Sequence, residues 1–246
     1  MDRALLKYIV FGNQKSGTTA IASLIADFGG LSKQMDIPEF WEAEQSIHSG
    51  RLSFESFVNA NPHRYAVSLL KEPCLTFFYD DVLKVFPDSR HIFVVRHPAD
   101  NIRSMLDRLK VPGDLEDVEL ADGFHKAWRD VFYGSLLNLK GSEKYIERLA
   151  RRWVIATEVY LKNRDRMLLA KYEDFVCDKY GFIKRTAEKL GIEQKNDISG
   201  LLDIQYQSRG SGRGKPLAEF FGKSNIGIIN DVCRPYLKEF SYSELK

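Results

Sequence analysis

Residues 12–19 are the segment of this chain whose residue types are best suited to bind an anion. The segment reads GNQKSGTT, follows the short apolar run Tyr8–Phe11 and precedes an apolar stretch with helical periodicity. A buried strand, a glycine-bearing turn and a helix start together present unpaired backbone N–H groups and the positive end of the helix dipole. The side-chain donors of the loop are Lys15, Ser16, Thr18 and Thr19. The sequence therefore predicts a phosphate-binding loop.

The spacing of Gly12 and Gly17 matches the Walker loop G-x-x-x-x-G-K-[ST], but the position of the lysine does not. Thr18 stands where the Walker lysine would follow the second glycine, and Lys15 lies inside the loop. The Walker lysine reaches the β- and γ-phosphates while a hydroxyl holds magnesium, so Lys15 would point at a different part of the ligand. A purely structural strand-to-helix turn, the alternative, needs neither Lys15 nor the run of hydroxyls.

A second candidate anion site follows the apolar run His91–Val95. The guanidinium of Arg96 offers a planar fork of N–H donors that suits a phosphate. Pro98 is well placed to begin a helix, which would bring up Ser104 two turns later. An arginine that only solvates the end of a strand is the alternative.

Short apolar runs alternate with longer segments of helical periodicity, which is typical of a parallel sheet covered by helices. The predicted strands are Tyr8–Phe11, Ala66–Leu70, His91–Val95 and Met167–Ala170. The predicted helices are Thr19–Phe28, a segment near 75–86, Pro98–Leu109 and a long pair within 123–164. Ligands of open α/β sheets bind outside the carboxyl ends of the strands, so we expect the functional loops there.

Four segments of the chain resemble, in order, the motifs of sulfotransferases that use 3'-phosphoadenosine 5'-phosphosulfate (PAPS). Residues 12–19 resemble the 5'-phosphosulfate loop P-K-x-G-T-[TS], with Gln14 in place of the proline. Residues 93–104 look like the 3'-phosphate site of the family, and residues 171–175, KYEDF, resemble its [RK]-Y-E-D-[LF] segment. Residues 208–216, SRGSGRGKP, are similar in place and character to its late basic glycine loop.

The resemblance spans about residues 8–216 and implies a three-layer, P-loop-like α/β fold with a single sulfotransferase domain over residues 1–246. It implies PAPS as the sulfuryl donor and 3',5'-ADP (PAP) as the product. The residues implied to bind the donor are Lys15, Ser16, Gly17, Thr18, Thr19, Arg96, Ser104, Tyr172, Arg209, Arg213 and Lys215. Tyr172 would lie near the adenine, for which an aromatic ring with a polar tip is suited; a core position is its alternative. For the late loop, a flexible surface linker is the alternative, and the cation that contacts the phosphate is not distinguished.

The acceptor side looks more like the carbohydrate-modifying branch of the family. The stretch Leu70–Cys74 keeps the lysine of the cytosolic motif K-T-H-L-P and lacks its histidine base. In the carbohydrate-modifying branch the base is a glutamate about two dozen residues after the loop lysine, where this chain has Glu39. Glu39 is therefore the first choice for the base and Glu72 the second, while Lys71 would bridge donor and acceptor oxygens. The alternatives are an exposed glutamate at a helix start, which the dipole favours, and an ordinary strand-end lysine.

Composition excludes several other classes of protein. The 246 residues include 36 Lys+Arg and 34 Asp+Glu, a net charge of +2, which cannot cover a nucleic-acid backbone. No apolar run approaches the roughly 20 residues of a membrane span, so we expect a cytoplasmic protein. The three cysteines lack CxxC spacing and the five histidines lack i, i+4 pairs. No metal is expected, since lysines and backbone donors can stabilise the leaving oxyanion.

The expected partner is a small-molecule acceptor, such as a secondary metabolite, or a glycan-like one. Sulfation of oxygen or of nitrogen fits equally well, and the sequence contains no clear dimer motif. One alternative function is a magnesium-dependent P-loop kinase of a small molecule, against which Thr18 argues because it replaces the Walker lysine. Another is a catalytically silent nucleotide-binding module, against which Glu39 and Glu72 argue.

Overall fold

The computed structural model describes residues 6–137, 139, 144–206 and 214–245, and the chain divides into two compact units. The first unit comprises Met1–Val95 and Val159–Tyr206, and the second comprises Arg96–Glu158 and Gln207–Lys246. Within the described ranges, no helix combines the length and the apolar character needed to cross a bilayer.

A parallel sheet forms the first unit. In chain order, its strands are β1 (Tyr8–Gly12), β2 (Lys33–Met35), β3 (Leu69–Lys71), β4 (Arg90–Val95) and β5 (Met167–Lys171). Their order across the sheet is β2-β3-β1-β4-β5, with Val10 of the central strand opposite Lys71 and Ile92 of its neighbours. Because all these strands are parallel, their carboxyl ends lie at one edge of the sheet.

Helices connect the strands of the first unit, and further helices build the second unit. In chain order they are α1 (Thr18–Gly29), α2 (Pro38–His48), α3 (Phe54–Ala60), α4 (Pro62–Tyr65), α5 (Tyr79–Val85), α6 (Pro98–Leu109), α7 (Lys126–Tyr133), α8 (Tyr145–Lys162), α9 (Tyr172–Cys177), α10 (Lys179–Lys189) and α11 (Leu217–Leu237). Helices α1–α5, α9 and α10 belong to the first unit, and α6, α7 and α11 to the second. Helix α8 begins in the second unit and ends in the first.

Alternation of side chains along the central strands produces the layers of the first unit. Successive residues of a strand point to opposite faces of its sheet. Val10 and Ile92 lie in a buried apolar cluster with residues of α1 and α10. Phe11 contacts Tyr79 of α5 with ring centroids 5.3 Å apart, and Phe93 stacks on Tyr160 of α8 at 5.0 Å. Helices thus cover the sheet, and the predicted three-layer α/β fold is confirmed.

Some elements differ from the sequence prediction for physical reasons. Strand β2 has no counterpart among the predicted strands, because its sequence KQM carries no apolar run and only its pairing with β3 holds it in the sheet. Strand β3, Leu69–Lys71, begins three residues after the predicted start of Ala66–Leu70 and ends one residue beyond it, since Lys71 pairs with both neighbouring strands. The helix predicted near 75–86 is a 3₁₀ helix, Pro73–Phe78, followed by α5. Helix α6 has the predicted bounds Pro98–Leu109.

Helix α11 lies against α6 in the second unit, and a buried asparagine anchors the connection that follows α6. The side-chain amide of Asn225 donates hydrogen bonds to the carbonyls of Gly113 at 2.7 Å and Leu115 at 2.9 Å. In α8, the indole of Trp153 is buried and contacts the ring of Phe240. The polar anchor and the apolar contact both stabilise the helical packing of this unit.

The buried histidine of β4 leads to a prediction about pH. The ring nitrogens of His91 lie 2.8 Å from the hydroxyls of Tyr79 and Ser89. Burial, followed by the charge of Arg166, lowers the pKa of His91 from 6.5 to about 4. As the pH falls, His91 therefore binds its proton at a higher pH in the unfolded chain than in the folded protein. The stability that is fully present above pH 6.5 is lost as the pH falls through 4. We expect this histidine to cost up to about 3 kcal/mol of unfolding free energy over that range.

Urea denaturation between pH 7 and pH 4 measures this effect, with His91→Gln as the comparison. The glutamine keeps a polar side chain in the site but does not titrate. The unfolding free energy of the variant should therefore fall less steeply with acid than that of the unchanged protein. Parallel pH profiles for the two proteins would contradict the prediction.

Candidate functional site

The loop between β1 and α1 has the backbone geometry of an anion site. Gly17 is the N-cap of α1 and, as a glycine, has no side chain with which to cap the first turn. Such a helix start attracts an anion through its N–H groups and its dipole. Lys15 has a φ of 66° and Gly17 a φ of 95°, so the chain turns tightly before entering the helix. The predicted phosphate loop therefore has a helix terminus and a cation where the sequence pattern expects them.

The 3₁₀ helix Pro73–Phe78 holds the beginning of this loop. The buried hydroxyl of Thr76 accepts a hydrogen bond from the N–H of Gly12 at 2.9 Å and donates to its carbonyl at 3.1 Å. The amide of Gln14, which stands where the sulfotransferase motif has a proline, donates to the thiol sulfur of Cys74 at 3.0 Å. Thr76 is thus a positioning residue absent from the sequence prediction. A threonine in an apolar segment carries no motif that could have identified it.

Tyr172, the first residue of α9, packs against the phosphate loop. A Cβ atom at Gly17 would lie 2.2 Å from Cδ2 of the Tyr172 ring, far inside van der Waals contact. The ring thus occupies the space that any other residue at position 17 would need. The sequence prediction paired Tyr172 with a nucleotide, and the structure brings it to the glycine of the loop.

Replacing Gly17 by alanine is expected to destabilise the protein, because the new methyl group would overlap the ring of Tyr172. Overpacking of this kind costs about 1–3 kcal/mol of unfolding free energy, and the positive φ of 95° adds backbone strain. The double variant Gly17→Ala, Tyr172→Ala removes the overlap but keeps the strain. In urea denaturation, the double variant should therefore lose less unfolding free energy than the sum of the losses in the two single variants. Strict additivity would contradict the contact.

Lys71 and Asp36 form an ion pair at the carboxyl ends of β3 and β2. The side chain of Lys71 is buried, and its ammonium group contacts the partly exposed carboxylate of Asp36. The N–H of Asp36 also donates to the carbonyl of Lys71 at 2.8 Å. Asp36 is absent from the predicted site residues. The pairing of β2 with β3, which the sequence did not predict, is what brings it to Lys71.

The second candidate base, Glu72, is buried and accepts three hydrogen bonds. They come from the N–H of Ile37 at 2.9 Å, the indole of Trp41 at 3.1 Å and the N–H of Cys74 at 3.0 Å. Burial, and next the charge of Asp36, raise the pKa of Glu72, against the effect of the backbone hydrogen bonds. Glu72 thus joins the start of α2 to the 3₁₀ helix.

The first candidate base, Glu39, lies in the first turn of α2 and is paired with Arg64. Nε of Arg64 lies 3.1 and 3.0 Å from the two carboxylate oxygens, and Nη2 lies 2.6 Å from Oε1. The hydrogen bonds from Arg64 lower the pKa of Glu39. This carboxylate is therefore ionised and held in a defined orientation while remaining partly exposed.

The second unit contains the other predicted anion-binding residues. The indole of Trp153 donates to the carbonyl of Arg96 at 2.9 Å, which fixes the backbone directly before α6. Ser104 lies on α6 and is partly buried. The carbonyl of Lys215 accepts a hydrogen bond from Nη1 of Arg103 at 3.1 Å. Arg209 and Arg213 lie outside the described residues.

Over the described ranges, no group of three or more His, Cys, Asp or Glu side chains lies close enough together to hold a metal ion.

Comparison with known proteins identifies the fold. No family model matches this sequence, and neither does any curated protein. Among solved structures, the sulfotransferase domain from the curacin biosynthetic pathway is similar with a TM-score of 0.56 and 12% identity, covering 98% of this chain and 99% of that one. Sulfotransferase STF9 from Mycobacterium avium is similar with a TM-score of 0.55 and 16% identity, covering 98% and 78% of the two chains.

A third similar structure is the mouse sulfotransferase SULT7A1 in complex with PAP. Its TM-score is 0.55 at 14% identity, and the match covers 95% of this chain and 85% of that one. These likenesses extend over nearly the whole chain. The protein therefore has the sulfotransferase fold, as the resemblance of its motifs implies.

Proposed function

We propose that this protein is a sulfotransferase that uses PAPS and transfers the sulfuryl group to a hydroxyl or amine of a small-molecule or glycan-like acceptor. The observation that carries the proposal is the loop at residues 12–17. In a chain with the sulfotransferase fold, this loop carries its cation at Lys15, within the turn, and lacks the lysine that follows the second glycine of a Walker loop.

The chemistry of the donor set fits a doubly phosphorylated nucleotide. Lys15 and the loop hydroxyls, with the start of α1, would hold the 5'-phosphosulfate. Arg96 and Ser104 would hold the 3'-phosphate, to which the guanidinium fork of Arg96 is suited. Tyr172 would position the loop through Gly17 as well as lie near the adenine. Arg209, Arg213 and Lys215 complete the proposed set. When bound, PAPS supplies a sulfuryl group on a phosphate leaving group.

On the acceptor side, Glu39 is the proposed base and Lys71 the proposed cation. Arg64 orients the carboxylate of Glu39 and keeps it ionised, but the lowered pKa also weakens it as a proton acceptor, so taking the acceptor's proton requires the hydrogen bonds from Arg64 to loosen. Lys71 would stabilise negative charge on the oxygens between donor and acceptor. Glu72 is the second candidate for the base. Asp36 becomes a third, because its carboxylate contacts Lys71 directly.

We further propose that residues 1–246 act as one sulfotransferase domain that needs no metal for the transfer. The cytoplasmic location expected from the sequence stays a prediction. So does a secondary metabolite as the acceptor, and screening candidate acceptors with labelled PAPS would identify it.

Thermal denaturation with nucleotides tests the donor. A ligand that binds only the folded protein raises its melting temperature. At a concentration one hundred times its Kd, the ligand adds about 2.7 kcal/mol to the free energy of unfolding. We expect PAP to raise the melting temperature and Mg-ATP to have little effect. Stabilisation by Mg-ATP alone would contradict the proposal and favour a kinase.

A further inference from the structure

The carboxylate of Asp100 lies between two arginines in the first turns of α6. Its Oδ1 atom is 2.5 Å from Nη2 of Arg103 and 3.8 Å from Nη2 of Arg96. A single carboxylate oxygen therefore faces both guanidinium groups, and its short hydrogen bond is to Arg103. The side chain of Arg103 is only 14% exposed, so it is held among other groups of the second unit.

Arg103 also binds the backbone at the far end of the second unit's sequence. Its Nη1 atom donates to the carbonyl of Lys215 at 3.1 Å, across 112 positions of the chain. Lys215 directly precedes the N-cap of α11, and its ammonium group lies 3.9 Å from Glu219. One planar guanidinium thus links a carboxylate on α6 to a carbonyl at the start of α11. A lysine could not link both acceptors in this way, because all its N–H donors are on one nitrogen atom.

We propose that Arg103 is a positioning residue that gives Arg96 its affinity for the 3'-phosphate of the nucleotide; this rests on the proposed function. Asp100 is close enough to Arg96 to cancel part of the positive potential that a phosphate would feel. Arg103 makes the short hydrogen bond to Asp100 at 2.5 Å, leaves the carboxylate 3.8 Å from Arg96, and offsets its charge. The three side chains together carry one net positive charge, and without Arg103 they carry none.

The test is the affinity of variants for PAP and for 5'-AMP, which lacks the 3'-phosphate, measured by calorimetric titration. We expect Arg103→Met to weaken PAP binding by about tenfold, within the range of coupling between residues in contact. The affinity for 5'-AMP should change less than about twofold, since no 3'-phosphate is involved. Arg108→Met is the matched control, because Arg108 is an exposed arginine on the same helix. Its PAP affinity should equal that of the unchanged protein.

The double variant Asp100→Asn, Arg103→Met separates positioning from direct contact. Removing the carboxylate leaves one net positive charge, so PAP affinity should return to within about threefold of the unchanged protein. A double variant as weak as Arg103→Met would overturn the inference, because Arg103 would then act on the phosphate directly or only through the fold. Equal losses for PAP and 5'-AMP, or no loss in Arg103→Met, would overturn it as well.

The outcomes also separate this inference from the proposed function. If the unchanged protein fails to bind PAP, both the sulfotransferase proposal and the role of Arg103 are wrong. If the unchanged protein binds PAP and the variants deviate from the expected pattern, only the role of Arg103 is wrong. Melting temperatures of the ligand-free variants confirm that each one is folded.

Discussion

Glu39→Gln is expected to reduce turnover by about 10²- to 10⁴-fold, the usual contribution of a general base. The affinity for PAP should not change, because Glu39 is proposed to act on the acceptor. The glutamine oxygen can still accept a hydrogen bond from Arg64, so the start of α2 should keep its structure. Turnover is measured as PAP released from PAPS in the presence of an acceptor found by screening. PAP affinity is measured by titration on the same preparations.

Comparison with the neighbouring carboxylates makes this result specific. Glu42→Gln is the matched control, since Glu42 is exposed on the same helix, and its turnover should be unchanged. Full turnover in Glu39→Gln would remove Glu39 from the reaction. The amide variants Asp36→Asn and Glu72→Gln would then identify the base as the one whose loss reduces turnover without affecting PAP binding. Glu72 is the first of these two to measure, followed by Asp36, which contacts Lys71.

Lys15→Met is expected to weaken PAP binding by about 10- to 100-fold, because hydrogen bonds to charged groups contribute about 1.5–3 kcal/mol. Turnover should fall by about 10²- to 10³-fold, as it does when a donor aimed at developing charge is removed. Lys15 is the only cation among residues 12–19. Methionine has a similar length and tolerates the φ of 66° no better than lysine, so the change removes the charge without relieving backbone strain.

The measurements for Lys15 are PAP titration and turnover, with Lys84→Met as the control. Lys84 is exposed on α5 and pairs with Asp81 at the surface, where a pair contributes little stability. Its loss should leave both quantities unchanged. If Lys15→Met binds PAP as tightly as the unchanged protein, the loop is a structural turn and the donor assignment fails.

The strand-loop-helix element at residues 8–29 and the elements beside it could be predicted from the sequence because their signals are local. The apolar runs that become β1 and β4 are contiguous, and each leads directly into a glycine or a charged residue. Helix α6 has its predicted bounds because Pro98 begins it and its apolar residues recur at helical spacing. Short-range sterics and the periodicity of side chains are sufficient to specify such elements.

The partners of the candidate site depend on long-range pairing. Asp36 contacts Lys71 only because β2, a strand with almost no apolar residues, pairs with β3. Thr76 contacts Gly12 across 64 positions of the chain. Arg103 binds the carbonyl of Lys215 across 112 positions. No spacing in the sequence specifies these contacts, because they depend on which strands become neighbours and on how the helices pack.

The sequence by itself thus determined the class of fold, and it supplied the predictions of an anion-binding loop and of the cations proposed to bind the donor. The tertiary structure decided which carboxylates and cations of the candidate site pair: Asp36 contacts Lys71, Arg64 holds Glu39, and Asp100 is shared by Arg96 and Arg103. The physical reason is the range of the forces involved. Helices and strands with contiguous apolar runs are marked by neighbours along the chain, whereas an ion pair, like the pairing of β2, depends on distances that exist only after the sheet and the helices have packed.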